Sequence, residues 1–334
     1  MTNSRLIWAD SLKGFLIILV VLGHAIQITL GNACETNHLW NIIYSFHMPA
    51  FMAVSGYVAF RPEACFSNQS VLRTIWRRFG QLMIPFMLWT FIAQLVGGQL
   101  DLRRFGDYLL YPDKGLWFLW VLFFINAIFM FGSWFAQKLR IVQEMVVAGI
   151  CLALVSVMVL FDVRVFGFQF VAYYFLFYSF GYFFRKYEDF MSSSSIVLLA
   201  IMGVCWTVLA WFWHMHELPD FMKGFSLPAT LTQYVYRFVA AAIAIYLLLD
   251  ISPRLIDDSS PWNQPFVRLG SMSLGIYATH YILLGWLYDV FKELTINDEE
   301  KVACLFLMTL VAASLVVWLL IRWSITAKYL LGKI

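Results

Sequence analysis

The sequence predicts an all-α polytopic membrane protein with a single domain over residues 1–334. Of the 334 residues, 62% are hydrophobic and only 13% are charged, whereas a soluble domain averages about 25% charged residues. Apolar runs of about 20 residues, long enough to cross a bilayer as a helix, recur along the chain. No charge-rich stretch of domain length interrupts them. The small net charge of +3 argues against a nucleic-acid partner. Membrane lipids are the partners that the apolar runs predict.

Ten apolar runs are predicted to span the membrane. They cover residues 12–30, 39–60, 79–97, 116–136, 144–161, 165–184, 196–214, 229–250, 270–290 and 302–322. Because ten is even, both termini are expected on one side. With the N-terminus in the cytosol, the inner segments hold about twice as many lysines and arginines as the outer loops, as the positive-inside rule requires. We therefore expect both termini in the cytosol.

The first apolar run contains a histidine, His24, within the apolar stretch of residues 15–26. An ionisable side chain at that depth is expensive and is by default a functional site. Asp10 and Lys13 precede it by close to four and three helical turns, so all three side chains share one helix face. Taken alone, Asp10 and Lys13 are more typical of a charged anchor at the cytosolic interface than of a functional site.

Two further histidines are expected at the depth of His24. His47 lies eight residues into the second run, which returns inward, and His280 lies in the ninth run, which leads outward. Three histidines at one level predict a shared polar cavity. A histidine near the end of a span can also bond a backbone carbonyl of a neighbouring helix, and for His280 that structural role is an equal alternative.

Basic side chains suggest where an anionic group is held. The inner loop between the second and third runs contains Arg73 and Arg77, which are four residues apart and so neighbours on one helix face, and Arg78. Neighbouring guanidiniums make a good phosphate clamp, although positive-inside charge also accounts for such clusters. Arg237 lies within the eighth run, where it either binds substrate or forms a structural ion pair with a carboxylate such as Asp289.

Together these residues resemble the acyltransferase 3 family of integral membrane acyltransferases, in the branch of fucose 4-O-acetylase-like proteins. The matching motifs are DSLKG at 10–14, VVLGH at 20–24, SFHMPAF at 45–51, SGY at 55–57, the Arg73–Arg77 pair followed by Pro85, LWFL at 116–119, and GSMSLGIYATH at 270–280. Each motif is weak alone, but their order and spacing hold across nearly the whole chain. Many members carry arginine where this chain has Lys13, which keeps the charge and loses bidentate geometry.

The resemblance implies about ten transmembrane helices and transfer of an acyl group, most often acetyl, from acetyl-CoA or another acyl-CoA. The implied acceptor is a hydroxyl of a carbohydrate or a lipid-linked glycan, and the implied location is a bacterial inner membrane. His24 corresponds to the catalytic histidine of the family, and Arg73 and Arg77 to its arginines of the donor step. No metal is implied, and the sequence contains no metal-ligand spacing.

A mechanism follows from these expectations. An alcohol needs a base to attack a thioester, and we expect a neutral His24 to take its proton. An acyl-histidine intermediate is the alternative mechanism, and the sequence does not distinguish it from direct transfer. His47 would orient His24 or polarise the thioester carbonyl, while Asp10 and Lys13 shape the donor entrance. The remaining assignments are Arg73, Arg77 and Arg78 to the CoA phosphates, and Trp117, Tyr277, His280 and Arg237 to substrate contacts.

The rival function is a transporter or flippase for a glycan or lipid precursor. Polar residues on the faces of spans suit that class as well. Transporters often contain paired repeats with helices broken by Gly or Pro, and the sequence has no such repeat. A structural subunit of an envelope complex is the third alternative, and it requires no role for His24.

Overall fold

Helices form the framework of the chain, and the described residues contain no strand. The computed structural model describes residues 6–62, 64, 66–98, 101–192, 194–224, 228–256 and 260–333, without the side chains of residues 102, 104 and 114. The helices are α1 (Ile7–Leu30), α2 (His38–Ala59), α3 (Asn68–Arg78), α4 (Ile84–Val96), α5 (Leu102–Leu110), α6 (Trp117–Leu139), α7 (Gln143–Phe161), α8 (Phe168–Lys186), α9 (Glu188–Met191), α10 (Ile196–Trp211), α11 (Ala229–Leu255), α12 (Gln264–Phe291), α13 (Asp298–Ile321) and α14 (Ser324–Leu331).

Several of these helices can cross a membrane. Within the described ranges, seven helical segments are long and apolar enough: α1, α2, α3 with α4, α6, α7, α11 and α13. The three other predicted spans correspond to α8, α10 and α12, of which α10 is apolar but only 16 residues long. The prediction of an all-α polytopic membrane protein is therefore confirmed. The ten-span count, the single domain and the cytosolic termini remain predictions.

The arginines between the second and third predicted spans lie on a helix that continues into the third span. The Oγ of Ser67 accepts a hydrogen bond from the backbone N–H of Ser70 at 3.2 Å, which caps the start of α3. A π-helical turn over Phe79–Met83 then joins α3 to α4. Pro85 follows within the first turn of α4, and the wider π turn accommodates its missing N–H. The segment between the second and third predicted spans is thus helical, as the shared helix face of Arg73 and Arg77 requires, and it continues into the third span.

Two glycines bring α1 and α12 into backbone contact. A Cβ on Gly14 would overlap the carbonyl oxygen of Phe266, and a Cβ on Gly270 would overlap that of Asp10. Small residues allow such close approach between membrane helices. Ten residues beyond each glycine, the rings of His24 and His280 are also in contact, with centroids 5.0 Å apart. The two helices therefore run side by side in the same direction.

A second glycine contact joins α2 to α8. A Cβ on Gly56 would overlap the carbonyl oxygen of Tyr178, and a Cβ on Gly181 would overlap that of Ala53. Near the ends of these helices, the Tyr57 hydroxyl donates to Glu188 at 2.5 Å. The core between the helices is aromatic and aliphatic. Residues of α2 and α8 also line cavities that are described below.

We expect Gly270→Ala to destabilise the protein, because the new methyl group meets backbone rather than a mobile side chain. Overpacking typically costs about 1–3 kcal/mol. Gly285 is the matched control on the same helix, since a Cβ there has open space around it. Thermal unfolding of both variants in detergent tests this: Gly270→Ala should melt below the wild type and Gly285→Ala at or above it. Equal melting temperatures would contradict the proposed backbone contact.

Candidate active site

Three cavities follow one another along the helix bundle. We name them by their charged or titratable residues. The arginine cavity has a volume of about 350 Å³ and is lined by Arg77 and Arg78. The lysine cavity, of about 320 Å³, contains Asp10 and Lys13. The histidine cavity, of about 450 Å³, contains His24, Trp117, Tyr277 and His280.

The arginine cavity lies between α3, α6 and α8. Arg78 lines it and also the lysine cavity. Its guanidinium donates to the Gln81 Oε1 at 3.3 Å, whereas its Nε is buried and has no hydrogen-bond partner in the described chain. Arg77 lines the arginine cavity from a more exposed position. Arg73 is exposed and lines none of the three cavities.

The lysine cavity is the middle one. The Nζ of Lys13 lies 3.4 Å from the Oδ1 of Asp10, and Asp10 is buried. Asn126 lines this cavity and the arginine cavity. Its amide donates to the Leu122 carbonyl at 2.7 Å and accepts from the Tyr178 hydroxyl at 3.0 Å. Because Arg78 and Asn126 belong to both walls, the two cavities adjoin.

Tyr277 separates the lysine cavity from the histidine cavity and lines both. Its hydroxyl accepts a hydrogen bond from the backbone N–H of Phe118 at 3.2 Å, and the two rings meet edge to face at 5.6 Å. The neighbouring Trp117 lines the histidine cavity and stacks on Tyr174 at 5.1 Å. Phe118 lines the lysine cavity and Trp117 the histidine cavity, so two adjacent residues of α6 line the cavities on either side of Tyr277.

His24 and His280 meet in the histidine cavity. The Nε2 of His280 lies 3.3 Å from the Nδ1 of His24. The Nδ1 of His24 is also 3.0 Å from the carbonyl oxygen of Val20, one turn earlier in α1. The Nδ1 of His280 lies 2.7 Å from the Tyr277 carbonyl and 3.1 Å from that of Ile276. His24 is half-buried and His280 is buried.

His47 is close to this pair but does not line any of the three cavities. It is buried, and its Nδ1 lies 2.7 Å from the carbonyl oxygen of Ile43. Tyr44 links the histidines, with ring centroids 6.5 Å from His24 and 4.8 Å from His47. The three histidines therefore converge, but the hydrogen-bonding partner of His24 is His280 rather than His47.

Arg237 does not form the expected ion pair. Asp289 pairs with Lys292 at 2.9 Å, and no carboxylate within the described ranges forms an ion pair with Arg237. Its guanidinium instead packs over the rings of Tyr173 and Trp213, at 5.6 and 5.3 Å. Aromatic faces and a backbone carbonyl can hold a guanidinium without a carboxylate. Arg237 lines none of the three cavities.

Sequence reasoning missed Asn126, Tyr44 and Gln27. Asn126 is a polar residue inside an apolar run, and that was the available signal. The Tyr44 hydroxyl donates to the Gln27 Oε1 at 3.0 Å on the wall of the histidine cavity, a contact that no spacing rule reveals. The described residues contain no group of three His, Cys, Asp or Glu side chains that could hold a metal ion.

Comparison with known proteins places the chain in a family. A family model described as an acyltransferase domain matches residues 6–323. The nodulation protein NolL of Sinorhizobium fredii is 35% identical over 153 residues, which cover 40% of this chain and 37% of that protein. The nodulation protein NolL of Mesorhizobium japonicum is 32% identical over 131 residues, which cover 36% and 34%. The matched segments thus span little more than a third of these relatives, and no solved structure matches the chain.

A match over nearly the whole chain settles the family. The long apolar helices of the chain are consistent with a family of membrane proteins. The protein therefore belongs to the acyltransferase 3 family and is a multi-pass integral membrane protein.

Proposed function

We propose that the protein is an O-acyltransferase that moves an acyl group, most simply acetyl, from cytosolic acyl-CoA to a hydroxyl of an extracytoplasmic carbohydrate or lipid-linked glycan. The observation that carries this proposal is the series of adjoining cavities from Arg78 to His24. Each cavity shares lining residues with the next. A donor with a charged head and a long arm fits such a series, with the head at the arginines and the thioester near the histidines.

The dimensions suit a two-sided reaction. Lys13 and His24 are eleven residues apart on α1, which is about 16 Å along the helix axis. CoA phosphates would bind Arg77 and Arg78, because guanidiniums form charge-assisted hydrogen bonds with phosphate. The pantetheine arm would then occupy the lysine cavity. The thioester would reach the Tyr277 boundary, where the acceptor meets it from the other side.

His24 serves as the general base in this scheme. The acceptor hydroxyl loses its proton to His24 as its oxygen attacks the thioester carbonyl carbon and forms the new C–O bond. The tetrahedral intermediate then collapses, the C–S bond breaks, and the CoA thiolate takes the proton back from His24. Acyl-CoA and alcohol thus become ester and CoA, with no proton gained or lost.

The other polar residues have supporting roles. The Tyr277 hydroxyl already accepts from Phe118, so its own hydrogen is available for the thioester carbonyl. Trp117 supplies an aromatic wall for the acceptor. Lys13, with Asp10 beside it, lines the donor path. His47 acts through its packing against Tyr44.

The proposed orientation places the arginine cavity at the cytosolic face of a bacterial inner membrane. The support is the excess of basic residues in the inner segments of the predicted topology. In that orientation the acyl donor enters from the cytosol, where CoA esters are made. The acceptor then approaches the histidine cavity from outside.

His24→Ala should lower acyl transfer by about 10²–10⁴-fold, because the acceptor loses its base. The measurement is CoA release from acetyl-CoA by purified protein in liposomes supplied with a glycan extract. His38→Ala is the control, since His38 is exposed and stacks on Trp211 outside the three cavities. Equal release by both variants removes His24 from the chemistry.

If the wild type releases no CoA yet moves glycan across the bilayer, the transporter alternative is correct.

Arg78→Gln should raise the KM for acetyl-CoA by at least tenfold, since a charge-assisted hydrogen bond contributes about 1.5–3 kcal/mol. Arg73→Gln is the matched control on the same helix, because Arg73 faces none of the cavities, and its KM should change less than about threefold. Steady-state kinetics with varied acetyl-CoA gives both values. The opposite order would place the donor phosphates on the exposed face of α3.

A further inference from the structure

The contact between His280 and His24 assigns a role that the proposed function does not include. We propose that His280 is a positioning residue that selects the tautomer of His24 and holds its ring for catalysis. The inference rests on the proposed function, in which His24 is the general base. It is carried by the pattern of hydrogen bonds around the two rings.

The protons on His280 follow from its neighbours. Its Nδ1 lies 2.7 Å from the Tyr277 carbonyl and 3.1 Å from the Ile276 carbonyl. A carbonyl oxygen only accepts, so this nitrogen carries the hydrogen. In the neutral ring the Nε2 is then an acceptor, and it lies 3.3 Å from the Nδ1 of His24.

The same argument fixes the state of His24. Its Nδ1 has two acceptors within reach, the Val20 carbonyl at 3.0 Å and the Nε2 of His280 at 3.3 Å. Both require a hydrogen on this Nδ1, which leaves the lone pair on the Nε2 of His24. That nitrogen is therefore the one that takes the acceptor proton. An orienting partner on the opposite ring nitrogen is the arrangement by which a catalytic base is kept in one tautomer.

His280 also responds to the charge that forms during the reaction. When the Nε2 of His24 takes the hydroxyl proton, the ring becomes an imidazolium and its Nδ1–H becomes a stronger donor. The Nε2 of His280 accepts that hydrogen bond without being protonated itself. The proton stays on His24 until the CoA thiolate removes it.

The backbone holds this pair in register. Gly14 and Gly270 bring α1 and α12 into contact, and each lies ten residues before its histidine. Ten residues correspond to about 15 Å along both axes, so the two rings arrive at the same level. His47 lacks this relation, because its ring packs against Tyr44, whereas the Nε2 of His280 reaches the Nδ1 of His24.

His280→Leu and His280→Gln form the test. Leucine has similar bulk and no acceptor, so kcat should fall by roughly 10–100-fold, the usual effect of removing an orienting partner, while the KM for acetyl-CoA stays within about twofold. Glutamine can present an oxygen to the Nδ1 of His24, so it should recover most of the lost kcat. Thermal unfolding in detergent verifies that both variants are folded.

A double variant separates positioning from structure. If His280 acts through His24, then His280→Leu should cause no further loss in a His24→Ala background, because residues that act as a unit are not additive. An additional loss of the full single-variant size would overturn the inference, as would wild-type kcat in His280→Leu. A His24→Ala protein with full activity would instead refute the proposed function. The two failures are therefore distinguishable.

Discussion

The backbone contact between α1 and α12 is the constraint on which the site depends. Glycine at 14 and 270 is the only residue type that fits there, since a Cβ at either position overlaps a carbonyl of the other helix. Contact at that point fixes both the separation and the register of two parallel helices. The same two helices supply Asp10, Lys13 and His24 from one side and Tyr277 and His280 from the other. A shift of one residue in register would separate the two imidazoles by rotation as well as by rise.

Several polar side chains inside the bundle hydrogen-bond to backbone carbonyls of their own helices. The three convergent histidines each place the Nδ1 near the carbonyl four residues earlier. Asn126 and Ser55 donate to carbonyls in the same way. An apolar medium makes an unpaired polar group costly, and this local bond meets part of that cost while the other end of the side chain stays available. The repeated arrangement explains how a bundle built of apolar helices tolerates a polar path along its centre.

The sequence predicted the elements of this path better than their pairing. Charge, hydropathy and helical period were enough to predict a polytopic all-α protein and to put Asp10, Lys13 and His24 on one predicted helix face, because those quantities depend on neighbouring positions of one helix. Which histidine meets His24 depends on the packing of distant helices, so the partner proved to be His280 rather than His47. Likewise, spacing alone made Arg73 and Arg77 equivalent, whereas the rotation of α3 exposes Arg73 and gives Arg78 the wall shared by two cavities.

The Tyr277 boundary bears on the choice between transfer and transport. A transporter must carry its whole substrate past the centre of the membrane, whereas the proposed reaction requires only that a thioester meet a hydroxyl there. The Tyr277 ring lies between the lysine and histidine cavities, and the backbone N–H of Phe118 holds its hydroxyl. A tyrosine ring between two chambers suits two substrates that approach from opposite sides better than a glycan that passes through. Since His24 and His280 line the same cavity as Tyr277, the acyl group is the only part of the donor that needs to reach them in the proposed reaction.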